Sequence, residues 1–173
     1  MKQELEKIKR LSEEREDENW AFRATLKATD IPSKEIDQEV FILFQKYSNE
    51  IDCTQCGNCC REITPILKDH DVKRLAVALN ISPSEVQNKY LRIDDDGDLI
   101  FNTKPCPFLS DNKCRIYEHR PEDCRSYPHL DKGEFIFKTI QAIENCFICP
   151  IVFYVFEDLK AQFRDILEDN IWL

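Results

Sequence analysis

Residues Cys53 to Cys60 read CTQCGNCC, four cysteines in eight residues. The two-residue gaps separating Cys53, Cys56 and Cys59 let one tight loop aim successive thiolates at a single ion, and Gly57 permits the turn this requires. Cys59 and Cys60 are adjacent, so their side chains diverge, and one of the pair faces a second metal or stays unligated. A lone C-x-x-C is also found as a redox dithiol, usually after a strand and opening a helix. Four cysteines in a polar loop, with five more downstream, point to metal ligation instead. So dense a mixture of cysteine and turn formers reads as irregular structure.

Moving outward, the nine cysteines form three groups. The second is Cys106, Cys114 and Cys124, in KPCPFL and CRIYEHRPEDCRSYP. The third is Cys146 and Cys149, in CFICP. The first residues, MKQELEKIKRLSEERED, carry no apolar export segment, so the expected location is cytoplasmic. Thiols are kept reduced there, which disfavours a disulfide framework, and an odd number cannot pair completely. Soft thiolates select zinc, iron–sulfur or copper(I) over magnesium or calcium. Seven or more candidates exceed the four ligands of one zinc ion or one [4Fe–4S] cluster, so either two centres or spare thiols follow. Cys146 and Cys149 sit beside Phe147 and Ile148, where buried thiols are also at home, and are read as a second centre or as core residues.

The residues around Cys124 suit a rigid thiolate site. Pro107, Pro121 and Pro128 stiffen the loops. Arg120 and Arg125 are expected to donate N–H bonds to sulfur or to balance thiolate charge, the alternative being ion pairs with Glu118, Glu122 or Asp123. Tyr117 and Phe108 are expected to wall the site. His70, His119 and His129 are minor ligand candidates, and so many cysteines make none of them necessary.

These stretches resemble the YkgJ-type CxxCxxCC cysteine-cluster family, described as zinc- or iron-chelating. The resemblance covers roughly residues 50–130. It implies ligation by Cys53, Cys56, Cys59, Cys60, Cys106, Cys114 and Cys124, accompanied by Pro107, Phe108, Leu109, Ile116, Tyr117, Arg120, Pro121, Arg125, Tyr127 and Pro128. It also implies a distant similarity to the cysteine motif of flagellin lysine N-methylases, which tilts the cofactor expectation toward an iron–sulfur cluster, [4Fe–4S] favoured, over zinc.

The rest of the chain reads as a helical body. Residues 1–30 are charge-dense with Leu5, Ile8 and Leu11 at helical spacing, followed by Trp20, Phe22 and Leu26, and suggest a helix with a solvated start. A second helix opens at Ser33 and buries Ile36, Val40, Leu43, Phe44 and Tyr47. Asp69–Leu79 and the segment opened by Ser82-Pro83-Ser84-Glu85 are short helices. Leu91–Ile93 and Leu99–Phe101 flank an Asp-Gly turn and read as a hairpin. Residues 104–130 read as irregular. EFIFKTI, residues 134–140, alternates as a strand would. Pro150 opens a last helix with Val152, Phe153, Phe156, Leu159, Phe163, Ile166 and Leu167 on its apolar face. The expected fold is α+β, mostly helical: one domain of N-terminal helices (1–49), motif core (50–130), and strand with C-terminal helix (131–173), holding one or two small hairpins and a metal-stapled loop region.

Composition narrows the function. A net charge of −9 at 33% charged residues argues against a general nucleic-acid binder and against anionic membranes. Neither GxGxxG nor GxxxxGK[ST] is present. The helices around Asn80 hint at helix-turn-helix, but SPSEVQNKYL is poor in basic residues. The acidic Asp94–Asp98 turn fails as an EF-hand, because the required acidic twelfth position is Thr103. The expected function is cysteine-thiolate binding of an iron–sulfur cluster or zinc. Enzymatic activity is left open, the alternatives being a cluster-dependent methyl-transfer or redox enzyme, a structural zinc interaction module, or a metallochaperone. The sequence names no protein partner.

Overall fold

The structure is a computed structural model that describes residues 1–168, with side chains to residue 164. The fold is α+β and mostly helical, with two small two-stranded antiparallel sheets. The chain divides into two compact units. One joins residues 1–52 to those from 128 onward; the other is the continuous stretch Cys53–Tyr127.

Every regular element described in the first unit is an α-helix. Residues 1–30 form Lys2–Glu14 (α1) and Glu16–Ala28 (α2) rather than one helix, with Arg15 at φ −110, ψ 14 between them. The acidic first turn of α2, Glu16 to Glu18, favours a new helix start there. Ser33–Glu50 (α3) buries Ile36, Val40, Leu43 and Tyr47 at helical spacing, as expected, while Phe44 on the same face is only half-buried. The expected strand at 134–140 is instead the start of a helix, Phe135–Cys146 (α9 in chain order, after the second unit). Its buried residues, Phe135, Thr139, Ala142, Ile143, Asn145 and Cys146, recur at the helical period, leaving Phe137 and Ile140 outside. Seven alternating residues are too short a window to separate the two periods. The Asp37 carboxylate of α3 supplies the start, accepting the N–H groups of Glu134 and Phe135 at 2.8 Å each.

Pro150–Glu168 (α10) closes this unit. Val152, Phe153, Phe156, Leu159 and Phe163 are buried as expected; the side chains of Ile166 and Leu167 lie outside the described residues. Phe156 meets Phe22 edge-on at 5.5 Å and Phe135 at 6.3 Å. Lys160, nearly fully buried, is paired with Glu157 (2.7 Å) and Glu18 (3.2 Å) and donates to Asn19 (2.8 Å). Those partners make the buried ammonium tolerable.

The second unit mixes short helices with two hairpins. Its helices are Cys53–Cys56 (α4), Cys59–Glu62 (α5), Asp69–Leu79 (α6), Pro83–Tyr90 (α7) and Glu122–Ser126 (α8). Helix α6 ends at left-handed Asn80, and α7 starts in a capping box: Ser82 Oγ accepts the Glu85 N–H at 3.2 Å while Glu85 accepts the Ser82 N–H at 2.8 Å. Strands Leu91–Ile93 (β1) and Leu99–Phe101 (β2) pair with Leu91 opposite Phe101. The acidic turn is held internally, Asp94 Oδ1 accepting the N–H groups of Asp96 and Asp98. Leu67, Val72, Leu75, Val86, Leu91, Phe101, Phe108 and Ile116 form the core, with Cys106 and Cys114 packed against it.

Candidate metal centre

The CTQCGNCC loop is more ordered than its composition suggests. Cys53 and Cys56 begin and end one helical turn, and Gly57 at φ +60 ends it in the left-handed region where glycine is least strained. The chain then enters a second turn at Cys59, with Arg61 and Glu62 donating to the Asn58 carbonyl at 2.9 and 3.0 Å.

Residues 104–130 are likewise not wholly irregular. Leu109–Ser110 (β3) and Lys113–Cys114 (β4) form a two-residue hairpin whose central residues, Asp111 and Asn112, both have positive φ. That is the signature of a type I′ turn, and the Asp-Asn pair is its trace in the sequence. The hairpin abuts the first loop. A methyl group on Gly57 would lie 2.8 Å from the Asn112 carbonyl oxygen. Arg61 spans the junction, donating to the Cys56 carbonyl at 3.1 Å and to Asn112 Oδ1. The Cys106 N–H donates to the Cys60 carbonyl at 2.8 Å. One main-chain bond and one side-chain bond thus bring together stretches some fifty residues apart.

Six of the nine cysteines, Cys53, Cys59, Cys60, Cys106, Cys114 and Cys124, line one cavity of about 190 Å³. Ile63, Pro65, Phe101, Ile116, Tyr117, Tyr127, Arg120 and Arg125 share its wall. Cys56 is buried in the same loop and does not line the cavity. Phe108 lies in the core beneath, tilted against Tyr90 at 5.0 Å. His70 is exposed and 3.2 Å from Glu122; none of the three histidines is on the cavity wall. Cys146 and Cys149 belong to the helical unit and are buried there.

Arg120 stacks over the Tyr117 ring at 3.7 Å and donates to the Tyr117 carbonyl at 2.8 Å. Arg125 donates to the Arg120 carbonyl at 3.2 Å and to that of Glu118. These bonds brace the loop that carries Cys124.

The thiols feel one another. A hydrogen bond from Cys59 lowers Cys60 to about 7; burial opposes this, and the charges of Arg61 and Arg120 add to the lowering. Burial pushes Cys106 up to about 11, with Cys60 and Cys114 adding to it. Cys114 is raised by burial and by Cys60. Cys124 is raised by burial and then by Cys60, Cys106, Asp123 and Cys114. Cys60, Cys106, Cys114 and Cys124 are thus near enough that a thiolate at one opposes thiolates at the others, the situation a thiophilic cation relieves. The donor set fits a zinc ion or an iron–sulfur cluster in its chemistry. Among the described residues no three His, Cys, Asp or Glu side chains already focus on one point; the thiols share a wall. No disulfide links the nine cysteines, and no described helix is long and apolar enough to cross a membrane.

Residues 52–146 match the model of the CxxCxxCC family, described as a "putative zinc- or iron-chelating domain". An uncharacterized protein of Methanocaldococcus jannaschii, MJ0661, is 35% identical over 94 residues, which are 51% of this chain and 50% of that one. The chain therefore spans about half the length of this curated relative. No solved structure matches it.

Proposed function

The chain belongs to the CxxCxxCC family of zinc- or iron-chelating domains, and from that premise we propose that the cavity of residues 53–127 holds an iron–sulfur cluster, [4Fe–4S] in preference to zinc. Cys60, Cys106, Cys114 and Cys124 are its first-choice ligands, with Cys53 and Cys59 on the same wall and Cys56 in the same loop. Six cysteines lining one cavity, four of them close enough to perturb one another, carry the metal-ligand assignment; the preference for a cluster over zinc rests on the family resemblance and on the arginines beside Cys124. When bound, such a cluster supplies one-electron chemistry or a Lewis-acidic iron. The chain's part is to present thiolates, offset their charge with Arg120 and exclude water with Tyr117 and the apolar wall. Cys146 and Cys149 are assigned to packing of the helical unit. A cytoplasmic setting, where thiols stay reduced, goes with this reading.

A second reading keeps the same cluster and adds chemistry on a bound substrate, by methyl transfer or redox. The number of thiols favours it: six cysteines line the cavity, so a four-thiolate cluster leaves others beside it for such chemistry.

Metal and acid-labile sulfide analysis of protein purified without oxygen tests the proposal. Iron and sulfide in cluster proportion, with a brown thiolate-to-iron absorption, are expected. Colourless protein holding stoichiometric zinc, with no sulfide after reconstitution, overturns the cluster assignment.

A further inference from the structure

Asp71, the third residue of α6, is fully buried and has no place on the cavity wall. A buried carboxylate persists only with partners, and those of Asp71 lead toward the cysteines. Its Oδ2 accepts the Lys68 N–H at 3.1 Å, at the start of its own helix. Its Oδ1 accepts the Glu122 N–H at 2.9 Å. Glu122 is the first residue of α8, two positions before Cys124. Arg74, one turn along α6, lies 3.6 Å from the same Asp71 oxygen and donates to the Arg120 carbonyl. From another direction, Asp123 Oδ2 accepts the Ile66 N–H at 3.2 Å.

Helix α8 has five residues and no side-chain cap of its own, because its cap position is Pro121. A helix so short does not sustain itself, and its first N–H groups require acceptors from elsewhere. Helix α6 supplies one of them, the Asp71 carboxylate that accepts the Glu122 N–H. We propose that Asp71, with Arg74, is a positioning residue of the metal centre, fixing the start of α8 and so the direction from which the Cys124 thiolate enters the cavity. This rests on the reading of Cys124 as a ligand.

The experiment compares the 173-residue chain with its Cys124→Ser, Asp71→Ala, Asp71→Asn and Ser82→Ala variants. Each is measured by zinc affinity of the reduced protein, by the cobalt(II)–thiolate absorption after loading, and by melting temperature. Ser82→Ala removes a helix cap with no connection to the cavity, so it reports destabilisation alone. Asp71→Ala should weaken zinc binding about 10- to 100-fold, the usual cost of losing a residue that orients a ligand. Its cobalt–thiolate band should fall by about a quarter, one thiolate in four. Asp71→Asn keeps an oxygen for the Glu122 N–H and should show a smaller loss; it carries the test if the alanine variant does not fold. Ser82→Ala should melt earlier with zinc affinity and cobalt band unchanged. Unchanged affinity and cobalt spectrum in the Asp71 variants, or changes no larger than those of Ser82→Ala at equal loss of melting temperature, overturn the positioning role. If Cys124→Ser binds both metals like the parent chain, the ligand assignment itself fails and the positioning role falls with it.

Discussion

The Cys106 N–H and the Cys60 carbonyl are hydrogen-bonded at 2.8 Å, joining two cysteines through their main chains rather than their sulfurs. The bond fixes how far apart these two stretches of main chain lie. It places the end of the CTQCGNCC loop against the segment that leads into the Asp111-Asn112 hairpin and then to Cys124.

Serine substitution should separate ligands from packing cysteines. Replacing Cys60, Cys106, Cys114 or Cys124 should lower metal retention at least about tenfold, since a serine hydroxyl stays protonated and binds soft metals poorly. Cys146→Ser should retain metal yet lose about 1–3 kcal/mol of stability, the cost of an unsatisfied buried hydroxyl. Metal content and urea midpoints across the series check this. A Cys146 variant that loses metal while Cys114 and Cys124 variants keep it would move the centre to the helical unit.

Gly57→Ala should be among the most damaging non-cysteine changes. The left-handed backbone alone costs a non-glycine residue about 1–2 kcal/mol. The new methyl would also press on a backbone oxygen 2.8 Å away, which has no flexible end to withdraw. A loss of at least about 2 kcal/mol in denaturant melts is expected, with faster metal release. Wild-type stability in this variant would show that the loop and the hairpin do not meet so closely.

Metal removal should act unevenly. At sites of this kind binding energy is folding energy. Chelation should speed amide exchange across residues 53–60 and 104–127 while α3, α9 and α10 keep theirs, because those helices rest on an apolar core. Equal protection of the cysteine loops with and without metal is the contrary result.

Acid should reveal the cap of α7. Glu85 has its pKa lowered, first by the Ser82 hydroxyl and then by the Ser82 N–H. A depressed folded-state value means stability that is present above the unfolded value, near 4.5, and lost as pH falls through the folded one. Melting temperature should therefore drop between neutral pH and pH 3 by less in Ser82→Ala than in the parent chain. Identical acid slopes would remove Glu85 from the account.

Much of this fold is legible in the sequence wherever a local signal decides the structure. Ser82-Pro83-Ser84-Glu85 states its capping box outright, and the Asp-Gly turn fixes the register of β1 on β2. The cysteine groups likewise identify a ligand-bearing region on their own. What stays hidden is set by partners far along the chain. EFIFKTI alternates like a strand, yet its helical start depends on Asp37. The two turns at Cys53 and Cys59 depend on Gly57 fitting against Asn112. Asp71 looks like any acidic residue in a first helical turn, and nothing local marks it as the partner of Glu122. The Asp111-Asn112 turn left a signal inside a stretch that reads as irregular: two adjacent residues tolerant of positive φ.

The Asp37 cap spans 97 residues, and the whole of the Cys53–Tyr127 unit is synthesised between its two ends. At roughly 5–20 residues per second, a ribosome takes on the order of 5–20 s to travel from Asp37 to Glu134. Helix α3 therefore waits for its later partners while the thiols emerge and become able to capture metal. During that interval the Ile36, Val40 and Leu43 stripe is uncovered. Slowing translation within residues 53–127 lengthens the exposure of a sticky surface and gives the metal more time to load, so the two demands on the nascent chain pull in opposite directions.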